Sequence, residues 1–382
     1  MDPLSFPLLP SSTAEEDLRT QVRAFLREQL RERAPIERAQ SWSGVDTAFS
    51  RRLGARGWIG MTWPKRYGGA ERSALERYVV LEELLAAGAP VAAHWIADRQ
   101  SGPALLRFGS EQQRARILPR IARGECYFCI GMSEPDVGSD LAAVRTRAVR
   151  HGSGYRINGT KLWTTNGHLA HYMILLARTG SESTERHAGL SQFVVDLATP
   201  GVSVRPIRIP SGEHHFNEVS FTDVDVPPES LLGTEGGGWQ QVISELALER
   251  SGPERFLSSF TLFAELVRVC GARPSERTAL AIGRLASHLV ILRRMSRSVA
   301  GALQAGLDPS VQAVMVKDAG AVFEQEIPEI ARSLSATDDA AASDAGYAAV
   351  LAYTTLHAPS FSLRGGTREI LRGIIARGLG LR

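Results

Sequence analysis

The chain has 382 residues, and its 44 basic and 41 acidic side chains leave a net charge of +3. This small charge, without a basic block, argues against a nucleic-acid-binding protein, and no run of about 18 apolar residues predicts a membrane span. The N-terminus lacks a basic stretch followed by an apolar one, so we predict no secretory signal and expect a cytoplasmic protein.

The first part of the chain has the pattern of helices. Ser12 to Glu15 matches a capping box, and apolar side chains then recur at helical spacing as far as Leu30. Helices are predicted over residues 12–30, 46–56, 73–87 and 102–122, the last as a pair joined near Gly109. We therefore predict an N-terminal helical domain over residues 1–125.

Residues 126–230 have the pattern of short strands. Asn158-Gly159 lies between two alternating runs, which predicts a β-hairpin with a type I′ turn. Further strands are predicted over residues 172–176, 191–197, 202–209 and 216–221. Short strands separated by turn residues predict a small antiparallel β-barrel or sandwich.

Helical periodicity returns after Trp239 and defines a predicted third domain over residues 231–382. Pro253 should interrupt the first of its helices. Longer helices are predicted over residues 276–305, 311–334 and 346–357, with a loose linker over 335–345. Thr367 is predicted to cap a closing helix. The fold class is therefore α+β and multi-domain, with a four-helix-type C-terminal bundle.

The chain has three cysteines, of which Cys126 and Cys129 form a Cys-x-x-Cys. Such a pair is compatible with a redox centre or with half of a zinc site. No second pair completes a metal site, and the surrounding run is apolar. We therefore favour two buried small hydrophobic side chains and predict no metal.

Three stretches, in this order, carry a resemblance to a known family. They are Met132–Asp140, Asn158–Asn166 and Gly365–Ala376. Together they resemble the signatures of the acyl-CoA dehydrogenase family, and the order of helices, β-domain and helical bundle is similar as well. The resemblance covers nearly the whole chain.

The resemblance implies an FAD-dependent oxidoreductase that converts an acyl-CoA thioester to a trans-2-enoyl-CoA. A carboxylate base removes the α-proton, and hydride passes from Cβ to flavin N5. Such a base belongs in a dry pocket, where desolvation raises its pKa towards neutrality. Electrons then pass to an electron-transfer flavoprotein or a similar acceptor.

The resemblance does not assign the base at once. Many family members carry it immediately before the Gly-Thr of the C-terminal signature, where this chain has Gly365. Members of the isovaleryl-CoA dehydrogenase type carry it directly before an arginine on the helix after the β-domain, which nominates Glu249 beside Arg250. Glu254 is an alternative base, and a chain without a base stays open. Arg250 and the N–H of Gly365 are candidate substrate contacts.

The resemblance also implies the flavin contacts. On the first loop they are Ile130, Met132, Ser133, Gly138 and Ser139. Trp163, Thr164 and Thr165 would lie against the isoalloxazine, and Thr367 and Glu369 near the adenine and pyrophosphate. Ser139 is also a candidate contact to the pantetheine of the substrate. The alternative for Trp163 is an ordinary core aromatic on a strand.

The chain departs from the family pattern in two motifs that contact a neighbouring subunit's flavin. The Arg-x-x-Phe-Gly expected near 267–277 and the Gln-x-x-Gly-Gly expected near 331–347 are both missing. Residues 249–256 resemble the heteromeric steroid side-chain subgroup. We therefore expect an α2β2 assembly with a homologous subunit, or a homotetramer, acting on a bulky or branched acyl-CoA. A non-catalytic partner subunit is the alternative function. Relatives of the nitroalkane oxidase or DNA-damage-associated type are less favoured.

Overall fold

The computed structural model describes residues 2, 4–180, 187–335 and 343–381, apart from the side chains of residues 245–249. The chain divides into two compact units. Unit 1 comprises residues 1–44, 72–91 and 249–382, and unit 2 comprises residues 45–71 and 92–248. The helices of the first 125 residues are thus shared between the two units. The three-domain division stays a prediction.

Unit 2 combines short helices with one sheet. Its helices are Thr47–Ala55, Ala92–Ile96, Gly102–Phe108, Glu111–Ala122 and Gly238–Glu249, the last of which reaches the start of the third segment of unit 1. Its strands are β1 (Phe128–Gly131), β2 (Arg147–His151), β3 (Gly154–Thr165), β4 (Tyr172–Arg178), β5 (Leu190–Asp196), β6 (Val202–Ile207), β7 (Phe216–Val226) and β8 (Leu231–Leu232). The strand order is β6-β7-β3-β2-β4-β5-β8, and β1 pairs with β4.

The sheet is mostly antiparallel, as predicted, but β1 and β2 each pair with β4 in parallel. One face of the sheet covers an apolar core. It contains Tyr155, Ile157, Met173, Phe193 and Val219. The ring of Tyr155 meets that of Phe193 edge-on at 4.9 Å between centroids. This core fixes the two strands that carry the signature residues, β1 and β3.

The predicted hairpin at Asn158-Gly159 is wrong, because both residues lie inside the single strand β3. The hairpin turn is at Gly152-Ser153, between β2 and β3. Asn158 faces a bulge of β7, where its Oδ1 accepts the N–H of Asp223 at 2.9 Å. Gly159 has φ +149, and a Cβ there would lie 2.5 Å from Oγ1 of Thr146. The pair therefore serves a bulge and a close strand contact rather than a turn.

Unit 1 is helical in the residues that the structure describes. Its helices are Thr13–Gln29, Pro35–Gln40, Ala74–Ala86, Phe260–Cys270, Glu276–Gln304, Ser310–Ser335, Ala345–His357 and Arg368–Gly378. Six of them match predicted helices, whereas Pro35–Gln40 and Phe260–Cys270 were not predicted. Most of the predicted linker 335–345 lies outside the described residues.

Buried ion pairs join the N-terminal helices of unit 1 to its longest helix. Arg19 bonds both Glu82 and Glu83. Arg293, on the helix Glu276–Gln304, reaches Glu82 from the other side, with Nε 2.6 Å from Oε1. One pair of neighbouring carboxylates thus holds three helices together.

Both cysteines of the Cys-x-x-Cys are buried, in agreement with the predicted small hydrophobic role. Burial raises the pKa of Cys126 to about 11 and raises the pKa of Cys129 still further. Neither thiol therefore has the thiolate character that a redox centre needs. None of the described helices is long and apolar enough to cross a bilayer.

Candidate functional site

The first signature forms a loop after β1 that is tied to β3. The N–H of Leu162 donates to the carbonyl of Ser133 at 2.9 Å. Nζ of Lys161 donates to the carbonyl of Met132 at 3.0 Å. The structure therefore brings the two signatures of unit 2 together along β3, as the resemblance implied.

A buried ion pair beneath this loop was not among the predicted site residues. Nζ of Lys161 lies 2.8 Å from Oε1 of Glu134, and both side chains are buried. The carboxylate also accepts the N–H groups of Arg145 and Thr146, at 2.7 and 2.9 Å. Burial raises the pKa of Glu134, but Lys161 and the donated hydrogen bonds outweigh it, so the pKa is lowered. A lysine at an inward position of an apolar strand was the available signal.

Burial has the larger effect on the lysine of this pair. It lowers the pKa of Lys161 to about 8 despite the nearby carboxylate. Both groups are charged at neutral pH, since the pKa of Glu134 is lowered and that of Lys161 stays above 7. The loop that begins at Met132 is therefore held by a charge-assisted bond at its base.

Trp163 has an unusual backbone and an exposed side chain. Its φ is +59, and the register of β3 against β7 shifts between Lys161 and Thr164. The side chain is 54% exposed, and its ring meets that of Phe216 edge-on at 5.7 Å. A bulge of this kind changes the direction in which a side chain points. A tryptophan with a left-handed backbone conformation persists only when the surrounding structure stabilises it. The alternative of a core aromatic is therefore wrong.

The two threonines after Trp163 differ in exposure. Thr164 is buried, and Nδ2 of the buried Asn217 donates to its carbonyl at 3.0 Å. Oδ1 of Asn217 in turn bonds His214 at 2.7 Å and His168 at 3.2 Å. Thr165 is half-buried. Of the two hydroxyls, exposure favours Thr165 for contact with a bound molecule.

The first loop is open to such a molecule. Ser139 is exposed, and Met132 and Ser133 are half-buried. Ile130, predicted on this loop, is half-buried on strand β1 instead. A Cβ on Gly138 would meet nothing within 4 Å, so no packing within the described chain requires glycine there. An accessible indole, a half-buried hydroxyl and a loop without a side chain at Gly138 fit the flat, polar-edged ring that the resemblance implied.

The C-terminal signature of unit 1 forms a left-handed turn. Gly365 and Gly366 have φ +67 and +100, which only glycine adopts readily. Nε of Arg250 donates to the carbonyl of Gly365 at 3.3 Å. Two predicted substrate-binding residues, Arg250 and Gly365, therefore lie together in this unit.

The prediction that Thr367 caps the closing helix is confirmed in position but not in the side-chain hydrogen bond. Thr367 occupies the N-cap position of the helix Arg368–Gly378, but its side chain makes no capping hydrogen bond. It bonds the side chain of Glu369 instead. A hydrogen bond to the backbone N–H of Glu369 and this contact lower the pKa of the Glu369 carboxyl. Glu369 is exposed, so it is available to a ligand from solvent.

The candidate bases stand in different positions. Glu249 ends the helix Gly238–Glu249, but its side chain lies outside the described residues. The side chain of Glu254 is buried, with Oε1 3.7 Å from Nε of Arg255. The carbonyl of Glu254 accepts a bond from Arg364 at 3.0 Å. These contacts give Glu254 a structural part in the segment that faces Gly365.

The comparisons with known proteins agree with the motifs. The family model "Acyl-CoA dehydrogenase, N-terminal domain" matches residues 12–125, and "Acyl-CoA dehydrogenase, middle domain" matches residues 129–224. The second match contains the loop after β1 and the whole of β3. Together the two matches cover more than half of the chain.

Individual relatives extend the similarity. Acyl-CoA dehydrogenase FadE29 of Mycobacterium tuberculosis is 40% identical over 53% of this chain and 52% of its own length. A solved "Tcur3481-Tcur3483 steroid ACAD" is 27% identical with a TM-score of 0.85, covering 100% of both chains. The ChsE4-ChsE5 complex of Mycobacterium tuberculosis is 28% identical with a TM-score of 0.84, covering 98% and 99%. The chain spans 52% to 63% of the length of three curated relatives that it matches.

Proposed function

The chain belongs to the acyl-CoA dehydrogenase family, and we propose that it catalyses FAD-dependent α,β-dehydrogenation of an acyl-CoA thioester. The product is a trans-2-enoyl-CoA, and an electron-transfer flavoprotein or a similar protein takes the electrons. FAD is the cofactor of the family, and when bound it accepts hydride from the substrate.

The single observation that carries the proposal is the geometry of Trp163. The chain forces this residue into a left-handed bulge and leaves more than half of its side chain exposed. Such an arrangement costs free energy, and it is explained if the indole packs against a bound ring. Met132, Ser133 and Thr165 would then border that ring, while the ion pair of Glu134 and Lys161 holds the loop in place.

Glu249 is the proposed base that takes the α-proton. The last turn of the helix Gly238–Glu249 carries it next to Arg250, whose Nε holds the carbonyl of Gly365. The N–H of Gly365 is the proposed donor to the thioester oxygen, where it would stabilise the charge that develops as the proton leaves. Ser139 would contact the pantetheine.

A heteromeric assembly is proposed for the active form. The ChsE4-ChsE5 complex contains two different proteins, and a second similar structure is described as a steroid ACAD. In this chain two motifs that serve a neighbouring flavin are missing. We therefore propose an α2β2 assembly in which a homologous subunit supplies those contacts, and a bulky or branched acyl-CoA as substrate.

A non-catalytic partner subunit is the second candidate. It is favoured by Gly365, which has no side chain where many members carry the base. The two candidate functions make different demands on Glu249. The dehydrogenase needs its carboxylate as the base, whereas a non-catalytic partner subunit does not.

Purification alone and with a homologous neighbour separates these functions. We expect a yellow protein or complex whose flavin bleaches when acyl-CoAs are added in the absence of oxygen. The Glu249→Gln variant should retain FAD but should not bleach. Glu245→Gln, one turn away on the same helix, is the matched control and should bleach normally.

Other outcomes have defined meanings. Bleaching in Glu249→Gln that disappears in Glu254→Gln would move the base to Glu254. A complex that bleaches equally with both variants would make this chain the non-catalytic partner. Protein that binds no FAD, alone or in the complex, would overturn the proposal.

A further inference from the structure

Among the side chains that the structure describes, cations outnumber carboxylates around the segment 361–366 of unit 1. Nζ of Lys317 donates to the carbonyl of Phe361 at 2.9 Å, and Nε of Arg250 donates to that of Gly365. Arg364 lies within the segment and bonds Oε2 of Glu324 at 2.7 Å. Arg255 adds a fourth positive charge, whereas Glu254 and Glu324 supply two negative ones.

The excess charge is visible in Lys317. Burial lowers the pKa of this lysine to about 7, and the charges of Arg255 and Arg364 lower it in the same direction, against the opposing effect of Glu324 and Asp318. Beyond the turn, Arg368 is paired with Asp318, with Nε 2.8 Å from Oδ1, and Nε of Arg372 lies 3.6 Å from Oδ2 of the same carboxylate. Among the described side chains, the local surplus of positive charge therefore comes from Arg250, Arg255 and Arg364, with Lys317 only partly protonated at neutral pH.

Arg255 is the cation closest to the Gly365–Gly366 turn. A Cβ built on Gly365 would lie 3.1 Å from Cζ and from both terminal nitrogens of Arg255. Equal distances to three atoms of the guanidinium plane mean that Arg255 presents its flat face to this glycine. Arg255 is itself buried, and its carbonyl lies 2.2 Å from the point where a Cβ would stand on Gly320. Because a side chain at Gly365 or Gly320 would come too close to Arg255, glycine at both positions leaves room for this arginine.

The N–H groups of the turn point to a use for this charge. Among the described residues, no acceptor bonds the N–H of Gly365 or of Gly366. The turn therefore offers two donors beside a buried guanidinium. A carboxylate introduced at position 365 would instead pair with Arg255, which would lower its pKa and weaken it as a base.

We infer that Arg255 is a positioning residue that acts through Gly365, stabilising the negative charge on a thioester oxygen bound at the N–H of that glycine. As the α-proton passes from the substrate to the carboxylate of Glu249, the electron pair of the C–H bond forms a double bond between Cα and the thioester carbon. The π pair of the carbonyl moves onto the thioester oxygen, which gives the enolate. A nearby positive charge that water does not screen favours this form. The inference rests on the proposed function.

The test measures ionisation rather than turnover. A β-ketoacyl-CoA has an acidic α-proton, and its enolate absorbs in the ultraviolet, so its apparent pKa can be titrated on the FAD-loaded protein or complex. Arg255→Met should raise this bound-ligand pKa by about 1 to 2 units, a 10- to 100-fold loss of enolate. Arg255→Lys retains the charge and should shift the pKa by less than half as much.

Arg332→Met, an exposed arginine of the same unit, is the control and should leave the ligand pKa unchanged. An unchanged pKa in a folded Arg255→Met protein would overturn the inference alone. So would equal shifts in the Met and Lys variants, because the charge would then not be the cause. If Arg255→Met does not fold, Arg255→Gln replaces it with the same expected shift. A wild-type protein that fails to lower the ligand pKa below its value in solution would overturn the proposed function as well.

Discussion

Lys161→Met should lower the free energy of unfolding, because it leaves the charge of Glu134 buried without its partner. Lys161 is fully buried, and its ammonium group is both the counter-charge of Glu134 and the donor to the Met132 carbonyl. Methionine preserves the length and the apolar packing of the side chain. The change therefore isolates the loss of charge and of two hydrogen bonds.

The expected loss of unfolding free energy is about 3 kcal/mol. Removing one member of a buried ion pair costs about 3–5 kcal/mol, because the other charge stays desolvated. Glu134 keeps two backbone donors, at 2.7 and 2.9 Å, which places the expected loss at the lower end. About 3 kcal/mol corresponds to a roughly 100-fold larger unfolded fraction.

Urea unfolding of four proteins provides the assay: wild type, Lys161→Met, Glu134→Gln and the double variant. The double variant buries no charge, so it should be more stable than Lys161→Met alone. Lys65→Met, which removes an exposed lysine 3.7 Å from Glu71, is the control and should cost less than about 1 kcal/mol. A loss below about 1 kcal/mol in Lys161→Met, or losses that simply add in the double variant, would refute the reasoning.

Three further predictions concern other buried groups. The pKa of Lys317 falls from 10.5 to about 7 on folding, so the unfolded chain binds more protons than the folded one between these pH values. The free energy of unfolding should therefore rise from pH 7 to pH 10, by up to about 1.4 kcal/mol per pH unit. Urea titrations of Lys317→Met should lack this rise. Asn217→Ala removes one buried and two partly buried hydrogen bonds and should cost about 2–3 kcal/mol; an unchanged urea midpoint would contradict this. With a thiol reagent at pH 8, only the half-buried Cys270 should react quickly, while the buried Cys126 and Cys129 should wait for unfolding; fast reaction that persists in Cys270→Ser would count against their burial.

The sequence predicted most elements of the fold because their apolar periods are long and undisturbed. The helix predicted over 276–305 is Glu276–Gln304, and that predicted over 311–334 is Ser310–Ser335. The strand that begins at Phe216 was likewise located by its alternation. Local spacing suffices where a continuous face of the element is buried.

Prediction failed where a distant strand decided the outcome. Asn158-Gly159 has the local chemistry of a hairpin turn. In the structure, however, the side chain of Asn158 bonds Asp223 at the bulge of β7, and Thr146 packs against Gly159 where a side chain would stand. No short stretch of sequence contains those partners. The same is true of Arg255, which lies 110 positions from the glycine that it faces.

The candidate site was predicted by motif rather than by geometry. Signature residues located the loop after β1 and the end of β3. No residue near Trp163 in the sequence, however, predicts its left-handed backbone conformation. That conformation depends on a register shift against β7, which the sequence does not reveal. The buried Glu134 and Lys161 lay within the quoted motifs but had no assigned part.

The order of synthesis bears on unit 1, which is assembled from three separate stretches of chain. Its first helix, Thr13–Gln29, emerges from the ribosome long before the helix Glu276–Gln304, whose Arg293 completes the ion pairs at Glu82. Arg19 and the carboxylates of Glu82 and Glu83 must wait for more than 200 further residues to be translated. Apolar faces of the early helices of unit 1 are therefore left without their late partner helix until the third segment has been synthesised.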